Sequence, residues 1–288
     1  MPLVTTARLL QAAAAGGYAV GAFNCNNLEI VQAIIAAAEA ENAPVILQAS
    51  QGAIKYAGLN YISALAKTAI ARTHLPVALH LDHGTSFEQA VRCIAAGFSS
   101  VMIDGSRLPL AENVALTRRV VDVARAVGVS VEAELGRIGG TEDEVSVSER
   151  EAFFTDPDEA ADFVAATGVD ALAVAIGTAH GRYKGEPQLD FDRLSRIAAR
   201  VNLPLVLHGS SGVPAEAIRE AVRRGIRKVN IDTDIREAFV STIRQVLGAN
   251  PDEIDPRKVL GPAREAAVEV IREKIRLFGS ANKANEVK

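Results

Sequence analysis

Eight short apolar runs recur along the chain, each bounded by glycine, proline or polar residues. They are Tyr18–Asn24, Pro44–Ala49, Pro76–Asp82, Ser99–Gly105, Val129–Leu135, Ala171–Gly177, Pro204–Gly209 and Lys228–Asp232. Runs that are apolar nearly throughout suit strands buried on both faces, as in parallel sheets. Between them lie Ala-, Glu- and Arg-rich stretches of helical period, among them Glu29–Glu41, Ser86–Ala96, Glu112–Val127 and Asp158–Thr167. Strands alternating with helices predict a parallel sheet with crossover connections. Eight of them are the number that closes a (β/α)8 barrel, an α/β fold. The rival, an open doubly wound sheet, usually carries a glycine-rich phosphate turn after its first strand. Here that turn reads FNCNN.

At 288 residues the chain fits one barrel domain spanning 1–288, with no linker or low-complexity tract. A last amphipathic helix is expected over about residues 262–279. Hydrophobic residues make up 49% of the chain, enough for a large core and too many for a disordered protein. The net charge of −4, with no long basic run, argues against nucleic acid as a partner. Cys25 and Cys93 form neither a disulfide framework nor a CxxC metal pair. No run of 18 apolar residues spans a membrane, and Gln11–Gly17 reads as a short amphipathic helix rather than a signal segment. The expectation is a cytoplasmic protein.

In a barrel, groups that do chemistry stand at the carboxyl ends of the strands. Those positions hold Asn24, Ser50, Asp82 and His83, Asp104, Glu134, His180, His208, and Asn230 to Asp232, although strand interiors look almost wholly apolar. Ordinary turns supply Asn, Asp and Ser, but not three of the chain's five histidines. Three imidazoles with an open fourth position describe a catalytic zinc site, with cobalt, iron and manganese left open. His80 shares side-chain parity with Asp82, so it should point into the barrel and orient Asp82 or a ligand. His74 reads as a surface residue.

Two further segments stand out. HGSSGVP at 208–214 and NIDTD at 230–234 follow the last two strands, where small residues let backbone amides approach an anion. ELGRIGGTEDE at 134–144 admits two readings: a solvated acidic loop, or a lid carrying Glu142 over a substrate.

LHLDHG (79–84), VMIDGS (101–106), VEAELGRIGGTEDE (131–144), GTAHGRYKG (177–185), LHGSSGVP (207–214) and KVNIDTD (228–234) together resemble the class II, zinc-dependent ketose-bisphosphate aldolases. The resemblance covers essentially the whole chain and implies a (β/α)8 barrel. It implies one zinc ion on His83, His180 and His208. Asp82 would be the acid/base group at the C4 oxygen, and Glu142 would exchange the proton on the nucleophilic carbon of dihydroxyacetone phosphate. Gly181, Gly209, Ser210, Ser211, Asn230, Ile231, Asp232 and Thr233 would hold that triose phosphate, with Asn24, Ser50 and Lys184 also facing substrate. Arg236 and Arg257 would serve the second phosphate. Asp104 and Glu134 match positions that hold a second metal ion in some relatives, and glycyl carbonyls near the phosphate site support a monovalent cation, Na+ or K+.

The implied reaction is reversible cleavage of fructose 1,6-bisphosphate to dihydroxyacetone phosphate and glyceraldehyde 3-phosphate through a zinc-stabilised enediolate. The NxDTDxR pattern of fructose-bisphosphate enzymes is met by Asn230, Asp232, Thr233, Asp234 and Arg236. Tagatose-bisphosphate enzymes and the aldolases of inositol and sugar-acid catabolism are the alternatives. A homodimer or homotetramer is implied, with Asp255–Arg264 able to carry Arg257 to a neighbour's pocket. Rival chemistries are a Schiff-base aldolase on Lys184 or Lys228, a metal-dependent hydrolase, and a non-catalytic sugar-phosphate binder.

Overall fold

The computed structural model describes residues 3–142, 145–147, 153–183 and 185–287, with the side chains of 141, 142 and 145–147 excepted. In chain order the first half comprises α1 (Thr6–Gly16), β1 (Val20–Asn24), α2 (Leu28–Glu41), β2 (Val45–Ser50), α3 (Gln51–Ala57) and α4 (Leu59–Ala71). It continues through β3 (Val77–Gly84), α5 (Phe87–Ala95), β4 (Ser100–Ile103), α6 (Leu110–Ala126) and β5 (Ser130–Leu135). The second half has β6 (Gly139–Glu142), β7 (Val145–Val147), α7 (Pro157–Thr167), β8 (Ala171–Val174), β9 (Ala179–His180) and α8 (Phe191–Arg200). It ends with β10 (Leu205–Leu207), α9 (Ala215–Arg223), β11 (Ile226–Ile231), α10 (Thr233–Ala249) and α11 (Pro256–Leu277).

The eight strands expected from the sequence close into a parallel barrel in the order β1-β11-β10-β8-β5-β4-β3-β2. Polar caps start the helices where the turns need them: Asn27, Ser86 and Asp190 each accept the N–H of the residue three positions on. The final helix begins earlier than residue 262. Asp255 caps it, Pro256 sits at its first position and Pro262 lies inside it. The small sheet of β6, β7 and β9, in the order β7-β6-β9, was not anticipated.

Alternation of side chains divides the buried apolar residues into two cores. Outward-facing strand residues such as Leu47, Leu79, Val101, Ala133 and Val229 meet the helices. Inward-facing Val20, Ala22, Ile46, Ala78, Ala171, Ala173 and Val206 pack on Leu9, Leu10 and Ala13 of α1, which closes the floor of the barrel. Above that floor the interior is polar rather than apolar. Gln48, His80, Ser100, Glu132 and Lys228 are all buried there.

Two irregularities set which residues face inward. The pairing of β3 with β4 shifts between Leu81 and Gly84, and His83 within that step has φ of 47°. Strict alternation would send Asp82 and His83 to opposite faces, so the bulged, left-handed turn at His83 brings both to the mouth. A second shift, where Leu205 pairs with Ile226 but Val206 with Lys228, lets Ile226 join the outer core while Lys228 enters the barrel.

Leu10 is fully buried in the floor. Leu10→Ala is expected to destabilise the protein by about 2–5 kcal/mol. Thermal unfolding checks this: an unchanged midpoint would mean that α1 does not seal the barrel.

Candidate active site at the barrel mouth

His83, His180 and His208 converge at the carboxyl end of the barrel, each offering a ring nitrogen within 4.8 Å of the others. His83 Nε2 and His208 Nδ1 face each other at 2.9 Å. The remaining nitrogens of these two rings are held from behind. His83 Nδ1 lies 3.1 Å from Asp104 Oδ2, and His208 Nε2 lies 2.8 Å from Glu132 Oε1. A carboxylate on one nitrogen fixes the tautomer and leaves the other nitrogen as a lone-pair donor. The donors therefore fit a zinc-type cation. Three imidazoles turn toward one point, and two are locked in the orientation that a metal requires.

The carboxylates around this cluster differ in charge preference. Burial pushes the Glu132 carboxyl up, yet Lys228, His208 and His80 outweigh it and hold the group below the usual carboxylate range. Burial likewise opposes ionisation of Asp104, but the hydrogen bond and charge of His83 hold it down. Glu134 goes the other way: burial, then the nearby Asp104 charge, raise it well above the ordinary value. His83, Asp104 and Glu134 form a second group whose ligand atoms lie within 4.8 Å of one another.

Asp82 is fully buried beside the imidazoles. Its two oxygens accept from separate amides, Oδ2 from Asn24 at 2.9 Å and Oδ1 from Asn230 at 3.1 Å. Gln48 in turn donates to Asn24 Oδ1 at 2.6 Å. The carboxylate is thus aimed by two side-chain amides.

Next to the cluster a pocket is lined by Asn24, His180, Gly181, Gly209, Ser210, Ser211, Asn230, Asp232, Thr233 and Arg236. The first turn of α10 opens onto it at Thr233, and Ser211 Oγ accepts from the Asp232 and Asp234 amides at 3.4 and 3.3 Å. A helix N-terminus, small loop residues and an arginine form an anion site. Arg236 is preorganised there by a 2.7 Å ion pair with Asp232.

The family model for "Fructose-bisphosphate aldolase class-II" matches residues 4–283. The chain belongs to this family. It is 49% identical to a fructose-bisphosphate aldolase of Thermus caldophilus, covering 98% of this chain and 100% of that protein. It is also 49% identical to a probable fructose-bisphosphate aldolase of Bacillus subtilis, covering 99% and 100%. The crystal structure of the YdjI aldolase from Escherichia coli K12 superposes with a TM-score of 0.87 at 36% identity, covering 98% of this chain and 99% of that one. The expectations of a class II aldolase family and a (β/α)8 barrel are thus met, and the protein is a lyase of this zinc-dependent class.

Within this aldolase the glycine pair of the 134–144 segment lies in a strand, not in a solvated loop. Gly139 pairs with Ala179 and Gly140 with His180. Gly140 has φ of 95°, and a β-carbon there would stand 2.7 Å from the His180 amide nitrogen and collide with its carbonyl. Only glycine lets the strand lie this close to the histidine. Tyr183 ties the same loop to the next one, its hydroxyl accepting from Ala179 N–H and donating to the Gly209 carbonyl, both at 2.7 Å.

Other expected residues fall elsewhere. Ser50 caps α3 by accepting from the Ala53 amide and does not line the pocket, although it pairs in register with Asp82. Ile231 points outward into the helical core, so only its backbone can face a ligand. Arg257 is not a pocket residue of its own chain: its side chain is 90% exposed and pairs with Asp255 at the start of α11. His80 does point inward, but toward Ser100 at 2.7 Å rather than Asp82. His74 is exposed. Lys184 and the side chain of Glu142 lie outside the described residues. Among the described residues no helix is long and apolar enough to cross a membrane.

The sequence reading passed over Glu132, Gln48 and Asn24's role as a bridge. Strand parity held the signal, since Glu132 and Glu134 are two apart and must share the inner face. Gly140→Ala is expected to displace His180 and lower zinc affinity at least tenfold with circular dichroism unchanged. Wild-type affinity in this variant would remove Gly140 from the account.

Proposed function

We propose that this chain catalyses the reversible aldol cleavage of fructose 1,6-bisphosphate into dihydroxyacetone phosphate and glyceraldehyde 3-phosphate. The observation that carries the reading is the convergence of His83, His180 and His208 beside an anion pocket, with Asp82 held by Asn24 and Asn230 of that pocket. The three histidines would hold one zinc ion, which when bound supplies Lewis acidity at the ketose carbonyl. Asp82 takes the proton from the C4 hydroxyl as the C3–C4 bond breaks and returns it in the condensation direction. Glu142 exchanges the proton on the nucleophilic carbon.

One phosphate is held by Gly181, Gly209, Ser210, Ser211, Asn230 and Thr233 around the N-terminus of α10. Arg236, from the same pocket, takes the other phosphate or the sugar hydroxyls together with Asp232. Asp104 and Glu134 are a second cation position with His83. The Gly209 carbonyl is the candidate contact for Na+ or K+. In a cytoplasmic homodimer or homotetramer Arg257 would serve a neighbouring subunit, consistent with its exposure. Tagatose 1,6-bisphosphate is the second reading, disfavoured by the retained Asp232 and Arg236.

A coupled assay of triose phosphate release from zinc-loaded protein compares the two bisphosphates. Fructose bisphosphate is expected to give the higher kcat/KM, chelation to abolish turnover, and zinc to restore it. Asp82→Ala should lower kcat by about 10²–10⁴-fold. Activity that survives chelation and is trapped by borohydride would place the chemistry on a lysine and refute the proposal.

A further inference from the structure

The lysine of the KVNIDTD motif has no place in the chemistry above, yet it is fully buried in the barrel interior. Its Nζ lies 2.9 Å from Glu132 Oε2 and 3.5 Å from His80 Nε2. A lysine ammonium only donates, so His80 accepts at Nε2 and must carry its proton at Nδ1. Nδ1 then donates to Ser100 Oγ at 2.7 Å, and Ser100 meets Thr6 Oγ1 of α1 at 2.8 Å. Glu132 uses its other oxygen, Oε1, on His208 Nε2 at 2.8 Å. A line of polar contacts therefore runs from the barrel floor to one of the three imidazoles, and Lys228 is its only formal cation.

Burying an ammonium and a carboxylate is costly unless each satisfies the other, and breaking such a pair leaves one charge stranded. The alternative of a nucleophilic lysine fails on position: Lys228 sits beneath the imidazoles with its ammonium engaged from two sides. We propose that Lys228 is a positioning residue for the metal centre. Its ammonium fixes the Glu132 carboxylate, which holds the His208 ring with Nε2 protonated and Nδ1 presented to the cation. This inference rests on the three-histidine metal reading and adds a determinant of metal affinity that lies outside the ligand set.

The test is a double-mutant cycle read as zinc dissociation constants, measured by competition with a chromophoric chelator. Lys228→Met is expected to weaken zinc binding by about 10–100-fold, the usual effect of removing a group that orients a ligand. Glu132→Gln should weaken it comparably. With Glu132→Gln already present, Lys228→Met should add less than about threefold, because the lysine acts through that carboxylate. A Lys228→Met protein that binds zinc within twofold of wild type overturns the proposal, as does full additivity in the cycle.

Lys228→Gln serves in the same cycle if the methionine variant does not fold. If neither folds, the wild-type protein decides. Its Lys228 ¹⁵Nζ resonance should shift on zinc addition, and an unmoved resonance overturns the proposal. Wild-type protein that takes up no zinc would refute the metal site itself, whereas undiminished binding in the variants would refute only the role of Lys228.

Discussion

A neutral imidazole has one lone pair, and the hydrogen bond at its other nitrogen decides where that lone pair points. The mouth of this barrel depends on that constraint. Asp104 and Glu132 take the rear N–H groups of His83 and His208, so the two inward nitrogens face one another at 2.9 Å. Without those carboxylates the same histidines could turn, and a shared cation would lose its ligands. The fold supplies Asp104 from just after β4, which pairs with the β3 that carries His83. Glu132 comes from within β5, two strands around the barrel from the β10 that leads to His208.

The same mouth needs two kinds of carboxyl group, and the barrel separates them by neighbours. Glu132 is surrounded by Lys228 and two histidines and stays ionised despite burial. Asp82 instead accepts from the side-chain amides of Asn24 and Asn230. Glu134 shares its surroundings with Asp104 and resists ionisation, a situation that a bound cation would reverse. Anion binding is handled by different means, through the α10 N-terminus and small loop residues rather than through buried charge.

Much of this was legible before any coordinates. The eight runs became the eight strands of a closed barrel, and the polar residues at their ends came together at one mouth. Three kinds of information stayed hidden. Glu132 and Lys228 sit in strands that are not adjacent in the sheet, and their pairing depends on which residues share a layer of the closed barrel. The inward turn of His83 depends on a bulge that period-two reading does not contain. The 134–144 segment admitted a solvated acidic loop or a lid, and neither reading contains the close approach to His180 for which Gly140 is needed. Ser50 and Arg257 each make a contact within their own local turn, with Ala53 and Asp255 respectively, which the motifs alone do not reveal.

The account stands on one cation shared by three imidazole nitrogens. X-ray absorption at the zinc edge of stoichiometrically loaded protein addresses that directly. It should show a nitrogen and oxygen shell at about 2.0–2.1 Å with the outer-shell scattering of three imidazoles and no sulfur. A sulfur shell near 2.3 Å, or scattering from fewer than three imidazoles, would contradict it.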